Sequence, residues 1–262
     1  MKLEGKVIYV DLNTGEVTLG NNPKYQIGGY VEEGLILRYD GILNTRNGND
    51  PDAKIWEDLT ENKNDGVLNN NNKSINYLEN EKGYEFTNNA DYIETTNELN
   101  LLSNPDVTFE FVYKWYGFQT GQQEAGLFTT TNFAVSEGRS FTLWMGKSQN
   151  RTLFATVNTN VSNNTLPTTN IKNSISLVKK KGNFSIDNAF IYEDGKKTSN
   201  NSMGNSSMYL SNIKMQIGRM WQWSGRNRTL NGILYSVRVY NKVLSEEEIK
   251  QNYELDKVRF EL

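Results

Sequence analysis

The sequence predicts an all-β protein, an antiparallel β-sandwich that ends in one short helix. Short β-prone runs recur at regular intervals, and turn-forming glycine and asparagine lie between them. One run, residues 107–115, alternates large apolar residues at every second position, as a strand with one face in a core does. Convincing helix signals occur only near the end of the chain. We therefore expect two packed sheets with a helix as the last main element.

The first 33 residues predict a small separate element. Residues 6–19 are two β-prone runs around Asn13-Thr14-Gly15, a pattern typical of a hairpin whose glycine supplies the positive φ. The breakers Asn21-Asn22-Pro23 and Gly28-Gly29 follow it. We therefore divide the chain into residues 1–33, a hairpin and linker that could dock the protein onto a partner, and residues 34–262, the sandwich.

We expect the strands of the sandwich at the β-prone runs that follow the linker. The expected strands are residues 35–39, 84–86, 92–95, 107–115, 126–129, 140–145, 152–157, 174–179, 189–193, 208–218 and 232–240. Asp194-Gly195 directly follows one of them and has the composition of a two-residue hairpin turn.

The C-terminal helix is predicted to begin at Glu246. Ser245 and Glu248 have the spacing of a capping box, and Leu244 and Ile249 occupy the positions of a hydrophobic staple. An apolar stripe that begins at Ile249 would close over an edge or end of the sandwich. After Asp256 the sequence KVRFEL alternates, which predicts a final strand.

The composition excludes several kinds of active site and makes some partners unexpected. The chain has no histidine and no cysteine, which excludes a Ser-His-Asp triad, a thiol nucleophile and a disulfide. Its 28 basic and 31 acidic residues give a formal net charge of -3, so we expect neither nucleic acid nor a membrane as partner. The first residues lack the apolar region of a signal peptide, which indicates cytoplasmic synthesis without Sec export.

Three segments resemble the LamG-like branch of the concanavalin A-like lectin/glucanase superfamily. The first, residues 35–68, contains Trp56-Glu57-Asp58 and then Asn64-Asp65-Gly66; the second pairs Tyr84-Glu85-Phe86 with Asp91-Tyr92-Ile93. The third, residues 230–249, is similar to the family's C-terminal signature almost position by position. The resemblance spans roughly residues 34–254 and implies a jelly-roll sandwich. Within its third segment, we expect Arg238 to be a structural residue under the helix.

The resemblance also sets an expectation about catalysis. Glucanases of this superfamily carry two glutamates on one strand in an E-x-D-x-E arrangement, which places the acid and the nucleophile on one face. Here Glu254-Leu255-Asp256 begins the pattern but continues with Lys257. We therefore expect no enzyme activity, and a glycoside hydrolase is the less favoured alternative.

A calcium ion is the candidate cofactor, because sandwiches of this kind often bind one. The local oxygen donors are Asp58, Asn62, Asn64 and Asp65. The alternative is that Asp58 and Asn64 tie the loop together through Asx-turn hydrogen bonds.

Carbohydrate binding would need exposed aromatic rings and planar polar groups. The best candidate is the segment that contains Trp221, Trp223, Arg226, Asn227 and Arg228, between two predicted strands. Residues 116–119, Tyr-Gly-Phe-Gln, are a second candidate. The alternative for each tryptophan is packing in the core or at an edge.

We therefore expect a non-catalytic carbohydrate-binding or adhesion module. The hairpin ahead of a LamG-like sandwich resembles structural proteins of bacteriophages and prophages. This resemblance implies a place on a virion or extracellular surface, with host glycans or neighbouring surface proteins as partners, and leaves a homo-oligomer open. The alternative is a virion decoration or stabilising protein without a sugar ligand.

Overall fold

Most of the predicted strands and the predicted helix have a counterpart at nearly the same position. Of the predicted strand 208–218, residues 216–217 form a strand and residues 208–213 lie outside the described residues. The structure also has short strands that the sequence does not predict, at residues 55–56, 66–69, 75–78, 159–162, 196–197 and 201–203. The computed structural model describes residues 7–10, 17–20, 29–69, 75–87, 92–101, 105–130, 141–156, 159–163, 165–185, 187–198, 201–203, 214–220 and 228–262. Its strands are β1 (Val7–Val10), β2 (Val17–Gly20), β3 (Leu35–Asp40), β4 (Ile55–Trp56), β5 (Gly66–Asn69), β6 (Ile75–Leu78), β7 (Gly83–Phe86), β8 (Tyr92–Thr95), β9 (Val107–Trp115), β10 (Glu124–Thr129), β11 (Thr142–Gly146), β12 (Arg151–Thr156), β13 (Thr159–Ser162), β14 (Lys172–Lys179), β15 (Ala189–Glu193), β16 (Lys196–Lys197), β17 (Asn201–Met203), β18 (Gln216–Ile217) and β19 (Gly232–Tyr240). The helix is α1 (Glu246–Phe260).

Two antiparallel sheets form the sandwich. In the described residues, one is a nine-stranded sheet with the order β17-β13-β12-β11-β10-β18-β8-β5-β4. The other is an eight-stranded sheet with the order β16-β15-β14-β9-β19-β7-β6, in which β3 also pairs with β19. Strands β1 and β2 pair with each other in a separate hairpin. The predicted all-β sandwich and the predicted N-terminal hairpin pairing are therefore confirmed; the turn residues of that hairpin lie outside the described part.

Aromatic rings from both sheets fill the core. Phe109 and Phe111 of β9 point inward and meet Phe128 of β10 at ring-centroid distances of 4.7 and 5.0 Å. The alternation predicted for residues 107–115 therefore gives the correct core face. The other face of β9, which includes Glu110 at 2% exposure, is also buried because α1 covers it.

The predicted capping box is present at the start of α1. The Ser245 side chain accepts a hydrogen bond from the Glu248 amide, and the Glu248 side chain accepts one from the Ser245 amide. The predicted hairpin turn is also present, with Asp194 and Gly195 both at positive φ between β15 and β16.

The predicted final strand after Asp256 is wrong, because α1 continues to Phe260. The buried positions of the helix are Ile249, Asn252, Asp256 and Phe260, which have helical spacing. Two of the four are polar, so a search for apolar periodicity misses the buried face. No helix in the described part of the chain has the length and apolar character of a membrane span.

A buried ionic network holds α1 on the outer face of the eight-stranded sheet. Arg238 of β19 is 1% exposed, as expected for a structural residue. Its Nε donates to Glu110 Oε2 at 2.8 Å, and its terminal nitrogens donate to the two carboxylate oxygens of Asp256 at 2.9 and 2.5 Å. Charge-assisted bonds of this kind fix orientation as well as contributing energy.

The end of the predicted linker also packs against α1. The Tyr30 hydroxyl donates to Asp256 Oδ1 at 2.7 Å, and the Val31 amide donates to Asn252 Oδ1 at 3.0 Å. The described part of the linker is thus held at the helix, on the eight-stranded sheet. The outer face of the nine-stranded sheet carries no helix in the described residues.

Candidate functional site

The base of the predicted sugar-binding loop is fixed to β10. The carbonyl of Arg228 accepts hydrogen bonds from the Gly126 amide at 3.1 Å and from the Met220 amide at 3.2 Å. These bonds bring together the residues on either side of the segment 221–227. The predicted ligand residues Trp221, Trp223, Arg226 and Asn227 lie outside the described residues.

Arg228, the fifth predicted ligand residue, is 5% exposed. Its Nε lies 2.7 Å from Glu124 Oε2 in β10. This ion pair fixes the end of the loop to the strand beneath it, so the described geometry gives Arg228 an anchoring role.

The loop begins on the outer face of the nine-stranded sheet. Met220 packs there in a small apolar cluster with Trp144, Leu153 and Ala155. These residues alternate along β11 and β12 with side chains of the main core, such as Phe154, so they point away from it. Met220, the residue before the predicted sugar-binding loop, therefore lies on the face opposite the core, in the sheet that does not carry α1 in the described residues.

The second predicted candidate segment, residues 116–119, lies beside Asn231, three residues after Arg228. The Tyr116 amide donates to the carbonyl of Asn231 at 2.8 Å, and the Asn231 side-chain amide donates to the carbonyl of Gly117 at 2.9 Å. Phe118 packs edge-on against Trp115 with ring centroids 4.9 Å apart, so part of the Phe118 ring packs within the protein.

A row of polar side chains on β8 and β18, which the sequence did not single out, follows the same outer face. The Arg219 guanidinium lies 3.4 Å from the centroid of the Tyr92 ring. Arg219 also donates to Gln216 Oε1 at 3.0 and 2.7 Å, and the Gln216 amide donates to Glu94 Oε2 at 2.6 Å. In the sequence, the alternation of Tyr92 and Glu94 with the residues that are buried in β8 is the signal that could have indicated this outward-facing row.

The predicted calcium loop is closed by its own hydrogen bonds. Asp58 is fully buried, and Oδ1 accepts from the amides of Arg38 and Thr60 at 2.9 and 3.0 Å. Oδ2 accepts from the Thr60 hydroxyl at 2.8 Å and the Asn64 amide at 2.9 Å. The bond from Thr60, two residues after Asp58, is an Asx turn. Both carboxylate oxygens are therefore occupied by donors.

The other predicted calcium ligands also form hydrogen bonds or ion pairs within the protein. Asp65 Oδ1 accepts from the Asp58 amide at 2.9 Å and forms an ion pair with Arg46. The Asn62 side-chain amide donates to the carbonyl of Ile36 at 2.8 Å. A cation here would lie beside a guanidinium and would displace donors from Asp58. The donor set therefore does not suit Ca²⁺.

Comparisons with known proteins agree with this architecture. A family model described as the concanavalin A-like lectin/glucanases superfamily matches residues 87–250. No curated protein sequence matches the chain.

Solved structures with the same fold include two carbohydrate-active enzymes. Trypanosoma rangeli sialidase, in complex with 2,3-difluorosialic acid, is 13% identical with a TM-score of 0.60; the match covers 91% of this chain and 35% of that chain. This protein thus spans about a third of the length of the sialidase chain. Domain 4 of AbnA, a GH43 extracellular arabinanase from Geobacillus stearothermophilus, in complex with arabinotriose, is 14% identical with a TM-score of 0.54; the match covers 84% of this chain and 98% of that one. These likenesses concern the fold alone. Because the family model spans more than half of the chain, the protein belongs to the concanavalin A-like lectin/glucanase superfamily.

Proposed function

We propose that this protein is a non-catalytic carbohydrate-binding and adhesion module. The observation that carries the proposal is the anchored base of the segment 221–227, which Arg228 and Met220 fix to β10 on the outer face of the nine-stranded sheet. In this proposal Trp221 and Trp223 stack on sugar rings, and Arg226 and Asn227 bond hydroxyl groups.

The arabinanase domain supports this proposal. It is a single domain with nearly the same extent of fold as this chain, and its structure was solved with arabinotriose. A sandwich of this type can thus serve as one unit of a carbohydrate-active protein. The binding role assigned here rests on the loop, because identity is too low to transfer a site.

The arrangement of the acidic residues favours binding without hydrolysis. The sequence has no E-x-D-x-E strand. Glu110 and Asp256 are both paired with Arg238 beneath α1 and are 2% and 0% exposed. A hydrolase needs two carboxyl groups that flank a substrate bond, and these two are closed to solvent.

We place this module on a bacteriophage or prophage virion, or another extracellular surface. Residues 1–33 would attach it to the particle, and the nine-stranded sheet would face host glycans. A decoration protein without a sugar ligand is the alternative, and a homo-oligomer is compatible with both.

A glycan array with the wild type and Trp223→Ala tests the proposal. We expect the wild type to bind at least one glycan, and Trp223→Ala to bind it at least about fivefold more weakly, since an aromatic contact contributes about 1 kcal/mol beyond area burial. Val67→Ala is the control, because Val67 is 43% exposed on the same sheet and lies in β5, three strands from β10 in the strand order. A wild type that binds no glycan would favour the decoration role, and unchanged binding by Trp223→Ala would exclude the loop.

A further inference from the structure

A cavity lined largely by asparagine lies at one end of the sandwich. Its volume is ≈ 310 Å³, and it is formed by β3, the loop between β4 and β5, the segment after β8 and the residue after β19. Its asparagines are Asn62, Asn64, Asn97, Asn100 and Asn241. We call it the asparagine cavity.

Its inner wall is held by hydrogen bonds within the protein. Asn64 is 5% exposed; its side-chain amide donates to the carbonyl of Asn97 at 3.1 Å, and its Oδ1 accepts from the Asn97 amide at 2.7 Å. The segment after β8 is thereby fixed to the loop between β4 and β5. The walls of the cavity are therefore formed before any ligand arrives, which lowers the entropy cost of binding.

Three of the amides at its rim are uncommitted. The side chains of Asn97, Asn100 and Asn241 are exposed and make no hydrogen bond to any described residue. Each carries a carbonyl acceptor and an NH₂ donor, so one amide can bond two neighbouring hydroxyl groups at once. Their convergence on one cavity supplies the few placed polar groups that small-molecule sites use.

The charge and floor of the cavity define the ligand further. Among the described residues that line it, Glu98 is the only ionisable side chain and none is a lysine or arginine, so an anionic ligand would find no counter-charge there. Ile36 and Leu99 give it an apolar floor, suited to the C–H face of a sugar ring. The volume is at the lower end of the usual range for ligand sites, about 300–1,000 Å³.

We propose that the asparagine cavity binds the end of a neutral glycan directly through its amide groups, without a metal ion. This inference rests on the proposed function and adds a second contact site to it. Arg228 lies just before the amino end of β19 and Asn241 just after its carboxyl end. Nine strand residues, about 30 Å, separate them, so the cavity is distinct from the anchored base of the segment 221–227.

The test is a titration with neutral trisaccharides of glucose, mannose, galactose and arabinose in the presence of EDTA, since a trisaccharide is too short to join the two sites. The variant is Asn97→Ala/Asn241→Ala. It keeps the backbone bonds of Asn97 to Asn64 and avoids Asn100, whose φ of 50° disfavours alanine. We expect one binding event that survives Trp223→Ala and weakens at least about tenfold in the double variant.

The control is Asn47→Ala, which removes an exposed asparagine outside the cavity and should bind as the wild type does. Matching melting temperatures for the wild type, Asn47→Ala and the double variant would show that the double variant is folded. If the double variant binds as strongly as the wild type, the cavity proposal is wrong and the proposed function stands. The same holds if Trp223→Ala loses all binding. A requirement for Ca²⁺, or preference for a galacturonic acid trisaccharide, would overturn its metal-free, neutral chemistry. No binding by the wild type would overturn both proposals.

Discussion

Asp58 is fully buried, and its carboxylate closes the loop between β4 and β5. An aspartate in a polar loop can bond to the nearby backbone through its side chain, and the buried carboxylate of Asp58 accepts four hydrogen bonds. Arg228 differs, because it was predicted to face a ligand and is instead paired with Glu124. The Asx turn is a local feature and can be predicted from neighbours. The partner of Arg228 lies in a distant strand and becomes visible only in the fold.

Asp58→Asn tests whether this carboxylate is structural. The amide would turn an NH₂ donor toward groups that already donate, so we expect a loss of about 2–4 kcal/mol in the free energy of unfolding. Urea denaturation measures it, with the exposed Asp52→Asn as a control that should change by less than about 0.5 kcal/mol. Because the donor set does not suit Ca²⁺, the ion should leave the wild-type melting temperature unchanged. Equal stability of the two variants, or a rise in melting temperature with Ca²⁺, would contradict this account.

At the scale of elements, strong local signals were predictive and weak ones were not. The apolar alternation of β9 and the capping box of α1 each lie within a few residues, and both are confirmed. Strand β4 has two residues, one of them Ile55 at 43% exposure, so it shows no pattern in the sequence. The sequence predicts the end of α1 wrongly because the polar residues Asp256 and Asn252 occupy its buried face. Their burial depends on Arg238 and Glu110 of the sheet below.

The attachment of α1 to β3 should make stability depend on pH. Asp40 of β3 is 1% exposed and pairs with Arg38 and with Arg259 of α1. Burial alone would raise the pKa of Asp40, but the guanidinium groups of Arg259 and Arg38 outweigh it and hold the pKa below its usual value. In the unfolded chain the pKa returns to about 3.9, so the unfolded state binds more protons near and below that pH. The stabilisation is therefore present above about pH 4 and is lost as the pH falls through the lower pKa of the folded state.

Denaturation of the wild type and Asp40→Asn between pH 5 and pH 3 measures this effect. The variant lacks the titrating group, so we expect it to be less stable at pH 5, by about 2 kcal/mol, and to lose less stability on acidification. Asp52→Asn should retain the wild-type slope. If Asp40→Asn loses as much stability as the wild type between these pH values, Asp40 does not carry the dependence.

For the whole molecule, the class of fold could be predicted and the binding surface only in part. Regular strand spacing and the C-terminal signature predict the sandwich, and both sheets are present. The asparagine cavity was not predicted, because Ile36, Asn62, Asn97 and Asn241 come from four separate segments. Asparagine is abundant in the sequence, and nothing local distinguishes these residues from those of ordinary turns. Only the register of the strands brings them together.

The proposed function requires that this molecule bind glycan and leave it intact. The most direct measurement is to incubate the protein with the glycan that it binds most strongly on the array, and then to analyse the recovered glycan by mass spectrometry. We predict saturable binding and a recovered glycan of unchanged mass, because the sequence lacks the paired glutamates and the carboxylates of Glu110 and Asp256 are sealed beneath α1. Time-dependent appearance of shorter saccharides would contradict the account, and so would a protein that binds no glycan at all.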